Sequence, residues 1–164
     1  MPETKTTTPR EMLWIGALFA AIGLYFILVG AGALPIPGGP RNLHGPLWLV
    51  LCAGLAFFLG GAAAMMQGFG RANASGEFPP DTPRWMRVMQ YLFGVAIFVC
   101  FAAMGSWIAF GPGMRHFSGT FAWGETIGRA AFGLGAIITW LCTAAYAVSG
   151  ARKLLGQNRT SPNA

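Results

Sequence analysis

Residues 13–33 have the sequence LWIGALFAAIGLYFILVGAGA, an apolar run of 21 residues without a charged side chain. A helix rises ~1.5 Å per residue, so this run would extend about 32 Å and match a hydrocarbon core of ~30 Å. Three similar runs follow at residues 47–66, 88–110 and 127–148. Because backbone polar groups in lipid must bond within their own segment, we predict an all-α integral membrane protein with four transmembrane helices.

The composition of the whole chain supports this prediction. Of its 164 residues 54% are hydrophobic and 10% are charged, whereas a soluble domain carries roughly 25% charged residues. This balance excludes a disordered chain and an ordinary soluble enzyme. The first run is longer than the 7–15 apolar residues of a signal peptide. We therefore expect it to be retained, in a single membrane domain over residues 1–164 with short polar tails at 1–11 and 151–164.

The basic residues predict an orientation in the membrane. Eight Lys and Arg residues fall in the two tails and in the loop at residues 68–87, and three fall in the other loops or at the start of the fourth run. The positive-inside rule then places both termini and the middle loop in the cytoplasm, in a bacterial-type inner (plasma) membrane. Since these charges are spread along the chain and form no basic face, we expect no nucleic-acid partner.

Small residues recur at intervals of seven and predict how the helices pack. Close approach of small residues drives helix association in lipid, and a period of seven keeps one face towards a neighbour. We therefore expect a four-helix bundle, in which packing seams run through Gly16, Gly23, Gly30, Gly54, Gly61, Gly128 and Gly135. The fourth helix continues this spacing with Cys142 and Ser149. Both outer loops contain a Pro-Gly turn followed by Arg and His, which leaves open whether the chain consists of two parallel hairpins or the loops resemble each other by chance.

Several chemistries are poorly supported by the sequence. Both histidines, His44 and His116, fall in loops, whereas a haem needs ligands that project from helices. The three cysteines are single and lie inside the spans, which does not suit disulfide exchange. With Glu125 the histidines provide no zinc-ligand spacing. Thr139 and Thr143 are expected to bond to carbonyls of their own helix. We therefore predict no catalytic residue, no metal and no cofactor.

Arg129 is the only charged residue within the four runs. Glu125 precedes it by one helical turn, which favours a local ion pair. A second hypothesis is an outer-face site for an anion, a lipid headgroup or a partner carboxylate, because guanidinium groups bind such groups through two hydrogen bonds. The residues of this hypothetical site are Arg41, His44, Arg115, His116, Glu125 and Arg129.

These observations favour a non-enzymatic role. The leading interpretation is an accessory, assembly or structural subunit that acts through helix–helix and lipid contacts. Its partners would be the lipid bilayer and other membrane subunits or further copies of itself. The alternatives are a binding or sensory protein that uses the outer Arg and His residues, and a small permeation unit that forms a pore by oligomerising.

Overall fold

The computed structural model of the chain describes residues 8–36, 38–39, 45–70, 72, 76, 78–79, 81–112 and 125–156. In these ranges the chain forms four α-helices and no strand: α1 (Pro9–Gly30), α2 (Leu47–Phe69), α3 (Arg84–Phe110) and α4 (Glu125–Gly156). Each helix is long and apolar enough to cross a membrane. This confirms the predicted all-α fold, and the protein is a multi-pass membrane protein.

The helix α1 extends over Pro9–Gly30, whereas the apolar run covers residues 13–33. Local hydrogen bonds determine where the helix starts and ends. The Thr8 side chain accepts from the backbone N–H of Glu11 at 3.4 Å, and the Glu11 carboxylate accepts from the Thr8 N–H at 2.8 Å. This capping box satisfies two backbone donors and starts the helix at Pro9. At the other end Gly32 adopts a φ of 76°, and the Ala33 N–H donates to the Leu28 carbonyl at 2.9 Å. A Schellman motif of this kind ends a helix.

The helix α4 is longer than its apolar run. It has 32 residues, which corresponds to about 48 Å and exceeds the ~30 Å hydrocarbon core. Near its end lie the exposed side chains of Arg152 and Lys153. The helix therefore continues beyond the hydrocarbon region and carries these cations outside it.

The chain divides into two compact units, Met1–Ile97 and Phe98–Ala164, with the boundary inside α3. In the first unit α1 and α2 pack at glycine residues. A Cβ atom added at Gly23 would lie 2.2 Å from the Phe58 nitrogen and 2.7 Å from the Gly54 carbonyl oxygen. One added at Gly16 would lie 2.7 Å from the carbonyl oxygen of Gly61. Since real side chains do not tolerate such distances, glycine is required for this close approach.

The contact between α1 and α2 extends to both ends of the two helices. A Cβ atom added at Gly30 would lie 2.5 Å from the Leu51 nitrogen, and one at Gly68 would lie 3.0 Å from the Pro9 carbonyl oxygen. The glycines spaced by seven in α1 and α2 therefore lie along the contact between the two helices.

The first turns of α3 bind the connection that precedes them. Arg87 donates from Nη2 to the Pro79 carbonyl oxygen at 3.1 Å, and Gln90 donates from Nε2 to the Gly76 carbonyl oxygen at 3.1 Å. Gly76 adopts a φ of 76°, which glycine tolerates at little cost. These side chains attach the described part of the α2–α3 connection to α3.

In the second unit the end of α3 packs against α4 through small side chains. Ala102 and Ala109 on α3 are 0% and 4% exposed, and Ala136 on α4 is 3% exposed. A Cβ atom added at Gly105 would lie 3.5 Å from that of Ala136, an ordinary contact. Thr143 is also buried, seven residues after Ala136. Ala136 and Thr143 mark the face of α4 that is covered.

The face of α4 that α3 covers is offset from the face that carries the small residues spaced by seven. Gly128 is buried, but a Cβ atom added at Gly135 would meet no atom within 4 Å, and Cys142 and Ser149 are exposed. The buried set instead runs one residue later, through Ala136 and Thr143. Small residues occupy both registers of this helix, so residue size alone does not select the face that packs.

Candidate functional site

The guanidinium of Arg129 joins α4 to the end of α3. Its Nε donates to the carbonyl oxygen of Ala109 at 2.9 Å, and its Nη2 donates to the carbonyl oxygen of Gly111. The last carbonyls of a helix have no partner within the helix, and a cation beside them is favourable. Arg129 lies seven residues before Ala136, on the same face of α4. Its hydrogen bonds and the buried Ala136 thus hold the same face of α4 against α3.

Arg129 also forms the local ion pair expected from the sequence. Its Nη1 lies 3.1 Å from Glu125 Oε1, and the two side chains retain 28% and 35% exposure. Two of the three hydrogen bonds described for this guanidinium go to carbonyl oxygens at the end of α3. Arg129 is therefore first a residue that positions α4 against α3.

The hypothetical outer-face site is described only in part. Glu125 and Arg129 lie together, whereas Arg41, His44, Arg115 and His116 lie outside the described residues. The convergence of all six side chains on one site stays a prediction.

The described residues contain no cluster suited to metal binding, because no three His, Cys, Asp or Glu side chains among them come together. Within the same ranges no disulfide bond joins any of Cys52, Cys100 and Cys142. The polar hydroxyls of α4 bond to their own helix: Thr139 donates to the Gly135 carbonyl at 2.8 Å and Thr143 to the Thr139 carbonyl at 2.7 Å. The back-bonding expected for both threonines is confirmed.

A further polar contact joins α4 to the last two turns of α3. Trp140 donates from its indole Nε1 to Ser106 Oγ at 3.2 Å, and Ser106 donates to the Ala102 carbonyl oxygen at 2.7 Å. A hydroxyl that both accepts and donates is well suited to a medium without water. The sequence showed these polar residues, but their pairing depends on how the two helices meet.

An apolar groove of about 590 Å³ runs along one side of the contact between α3 and α4. We call it the aromatic groove; its lining residues are Phe98, Phe101, Gly105, Ala131, Phe132, Gly135, Ala136 and Thr139. The rings of Phe98, Phe101 and Phe132 line its sides. Because Gly135 has no side chain, the space at the base of the groove stays unfilled. The helical spacing of Phe98, Phe101 and Gly105 on α3 placed them on one face, but that spacing alone does not show an opening.

A second groove of about 390 Å³ runs along the other side of α4. We call it the charged groove, because Arg129 lies at one end of it; the other lining residues are Ala109, Phe110, Ala130, Gly133, Leu134 and Ile137. A Cβ atom added at Gly133 would lie 3.4 Å from the Phe110 ring and 3.6 Å from Ala109 Cβ. Gly133 therefore lies at the base of the groove, next to α3. The groove has the ion pair of Arg129 at one end and apolar side chains along the rest of its length.

The second unit thus brings together apolar walls, small residues and one ion pair, which suits the binding of elongated apolar groups. Models of known protein families, curated proteins and solved structures were compared with this chain, and none of them matches it.

Proposed function

We propose that the chain is an accessory subunit of a membrane assembly, which acts by presenting helix surfaces to another transmembrane helix and to lipid. One observation carries the proposal: after the buried Gly128, the next three small residues of α4 spaced by seven are left uncovered by α3. A Cβ atom added at Gly135 would meet no atom of the described residues within 4 Å, and Cys142 and Ser149 are exposed.

The energetic cost of glycine supports this interpretation. Glycine inside a helix is less favourable than alanine by roughly 0.5–1 kcal/mol, unless something needs the space that it leaves. At Gly23 the backbone of α2 needs that space, but at Gly135 no atom of the described residues occupies it. A helix from another subunit would use it, because small residues let two helices approach closely in lipid.

The aromatic groove beside this stripe provides further contact area. Gly135 belongs to both surfaces, and the rings of Phe98, Phe101 and Phe132 border the opening. Large side chains of a partner helix would fit between these rings, while the partner backbone lies against the small residues. We propose a transmembrane helix of a different subunit as the occupant.

Photo-crosslinking from the single exposed thiol on the stripe tests this function. A variant with Cys52 and Cys100 changed to Ala keeps Cys142, to which a thiol-directed photoreactive probe is attached in native membranes. We expect one adduct of defined mass, lost when Gly135→Leu fills the stripe. The matched control moves the thiol to the neighbouring exposed residue, with Leu141→Cys and Cys142→Ala, at the same depth on another face.

The outcomes separate the proposed role from its alternatives. An adduct that needs both the Cys142 position and Gly135 supports docking of a partner helix. An adduct of twice the mass of the chain would indicate self-assembly, as expected of an oligomeric permeation unit. Equal labelling from Leu141→Cys and Cys142, or lipid adducts alone, would contradict the proposal.

We also propose that the protein lies in a bacterial-type inner membrane with both termini in the cytoplasm. The excess of basic residues in the tails and the middle loop supports this orientation. Two of these basic residues, Arg152 and Lys153, lie near the end of α4, past its apolar run. A fluorescent protein that matures only in the cytoplasm, fused after Ala164, should be bright. An active periplasmic phosphatase at the same position would contradict the orientation.

A further inference from the structure

The charged groove combines two features that a single ligand would have to match. One end carries the ion pair of Glu125 and Arg129, whose opposite charges lie 3.1 Å apart and remain partly exposed. The remainder is apolar: Phe110, Leu134 and Ile137 are 70%, 62% and 53% exposed along it. A ligand that fills it needs a polar head with both charges and an extended apolar tail.

The position of the groove in the helix agrees with the structure of a membrane lipid. Glu125 is the first residue of α4, so the ion pair lies near one boundary of the span. Ile137 follows Arg129 by eight residues, which corresponds to about 12 Å along the helix axis. A lipid with its headgroup at the boundary would therefore direct an acyl chain along Gly133 towards Ile137.

The charges of the ion pair indicate which headgroup fits. Glu125 and Arg129 place one negative and one positive group side by side at the end of the groove, so a purely anionic headgroup would match only one of them. A headgroup with a phosphate and an ammonium group is complementary to both partners, since phosphate pairs with guanidinium and ammonium pairs with carboxylate. Near the membrane boundary these interactions are screened less than in bulk water.

We propose that the charged groove is a binding site for one phospholipid with a zwitterionic phosphate–ammonium headgroup, which contacts Arg129 and Glu125 while one acyl chain lies along Gly133 and Ile137. Gly133 lies where a Cβ atom would already contact the Phe110 ring at 3.4 Å and Ala109 Cβ at 3.6 Å, so a side chain larger than alanine would compete with the acyl chain for this space. The site lies on the opposite side of α4 from the aromatic groove and does not depend on a partner subunit.

Native mass spectrometry of the full chain in detergent tests this site directly. The protein is titrated with dioleoyl phosphatidylethanolamine, and separately with dioleoyl phosphatidylglycerol as the anionic probe. We expect one saturable phosphatidylethanolamine per chain, which binds about tenfold more tightly than phosphatidylglycerol, a difference of ~1.4 kcal/mol. Gly133→Leu fills the groove and should lower this affinity about tenfold, whereas Gly135→Leu on the other side of α4 should leave it unchanged.

Glu125→Gln provides a second test that does not depend on filling the groove. It keeps the bonds of Arg129 to the carbonyls of α3 but removes the carboxylate, so the preference should shift from phosphatidylethanolamine to phosphatidylglycerol. Unsaturable binding, equal affinity of the wild type for both lipids, or an unchanged preference in Glu125→Gln would overturn the proposal. Thermal unfolding of each variant identifies any loss of lipid that follows from misfolding, and Glu125→Gln still decides the outcome if Gly133→Leu unfolds.

Discussion

Arg129 of α4 donates a hydrogen bond from Nε to the carbonyl oxygen of Ala109 in α3 at 2.9 Å. Ala109 is buried, so its carbonyl oxygen has little access to other donors. The only charged residue in the predicted spans therefore closes the end of one helix and sets the rotation of another. This relationship determines which residues of α4 face α3 and which line the two grooves.

Loss of this guanidinium should destabilise the second unit. Arg129→Leu leaves a buried carbonyl without its charged donor, which costs about 1–3 kcal/mol. Arg129→Lys should recover part of this loss, since an ammonium retains the charge but not the planar arrangement of donors. Denaturant unfolding in mixed micelles, followed by circular dichroism, measures the change. Arg152→Leu, in the exposed last turns of α4, is the control. An equal loss of stability in both variants would contradict a role of Arg129 in holding α4 against α3.

Two glycine substitutions should have opposite effects on stability. Gly23→Ala places a methyl group 2.2 Å from the Phe58 nitrogen, and overpacking of this kind costs about 1–3 kcal/mol. Gly135→Ala adds a methyl group in open space and should stabilise α4 by about 0.5–1 kcal/mol. The same unfolding measurement compares the two. A destabilising Gly135→Ala would show that the α4 surface is covered in the folded chain.

The hydrogen bond from Trp140 to Ser106 should appear as a coupling between α3 and α4. A double-mutant cycle of Trp140→Phe and Ser106→Ala is expected to give about 0.6 kcal/mol, the average for side-chain hydrogen bonds in membrane proteins. A parallel cycle of Trp140→Phe and Thr139→Val serves as the control, because Thr139 donates to a carbonyl of its own helix. Coupling in the control cycle and none in the first would refute the contact.

Gln90 should protect the connection between α2 and α3 from proteolysis. Its side chain donates to the Gly76 carbonyl oxygen at 3.1 Å. Without this bond, in Gln90→Leu, the connection should open more often, and trypsin should cleave after Arg71 several-fold faster. Met89→Leu changes the neighbouring exposed residue and should have no effect. Equal cleavage rates in the two variants would show that the bond does not restrain the loop.

The face of a helix that packs was predictable where small residues spaced by seven occur on only one face of that helix. In α1 the glycines spaced by seven, Gly16, Gly23 and Gly30, had no competing set, and all three lie at the contact with α2. In α4 the set with Gly135 competed with one through Ala136 and Thr143, and the second is the buried one. A period of seven predicts that a face exists, but it does not distinguish two neighbouring faces of similar size.

The sequence by itself determined that the chain is helical and multi-pass, because apolar length and internal backbone bonding are properties of each segment alone. It also determined the pairing of Glu125 with Arg129, since four residues along a helix bring two side chains together. Only the tertiary structure decided that Arg129 bonds to the end of α3, and that Gly133 and Gly135 line separate grooves. These features depend on the rotation of one helix against another, which is a balance between a few hydrogen bonds and the packing of small residues.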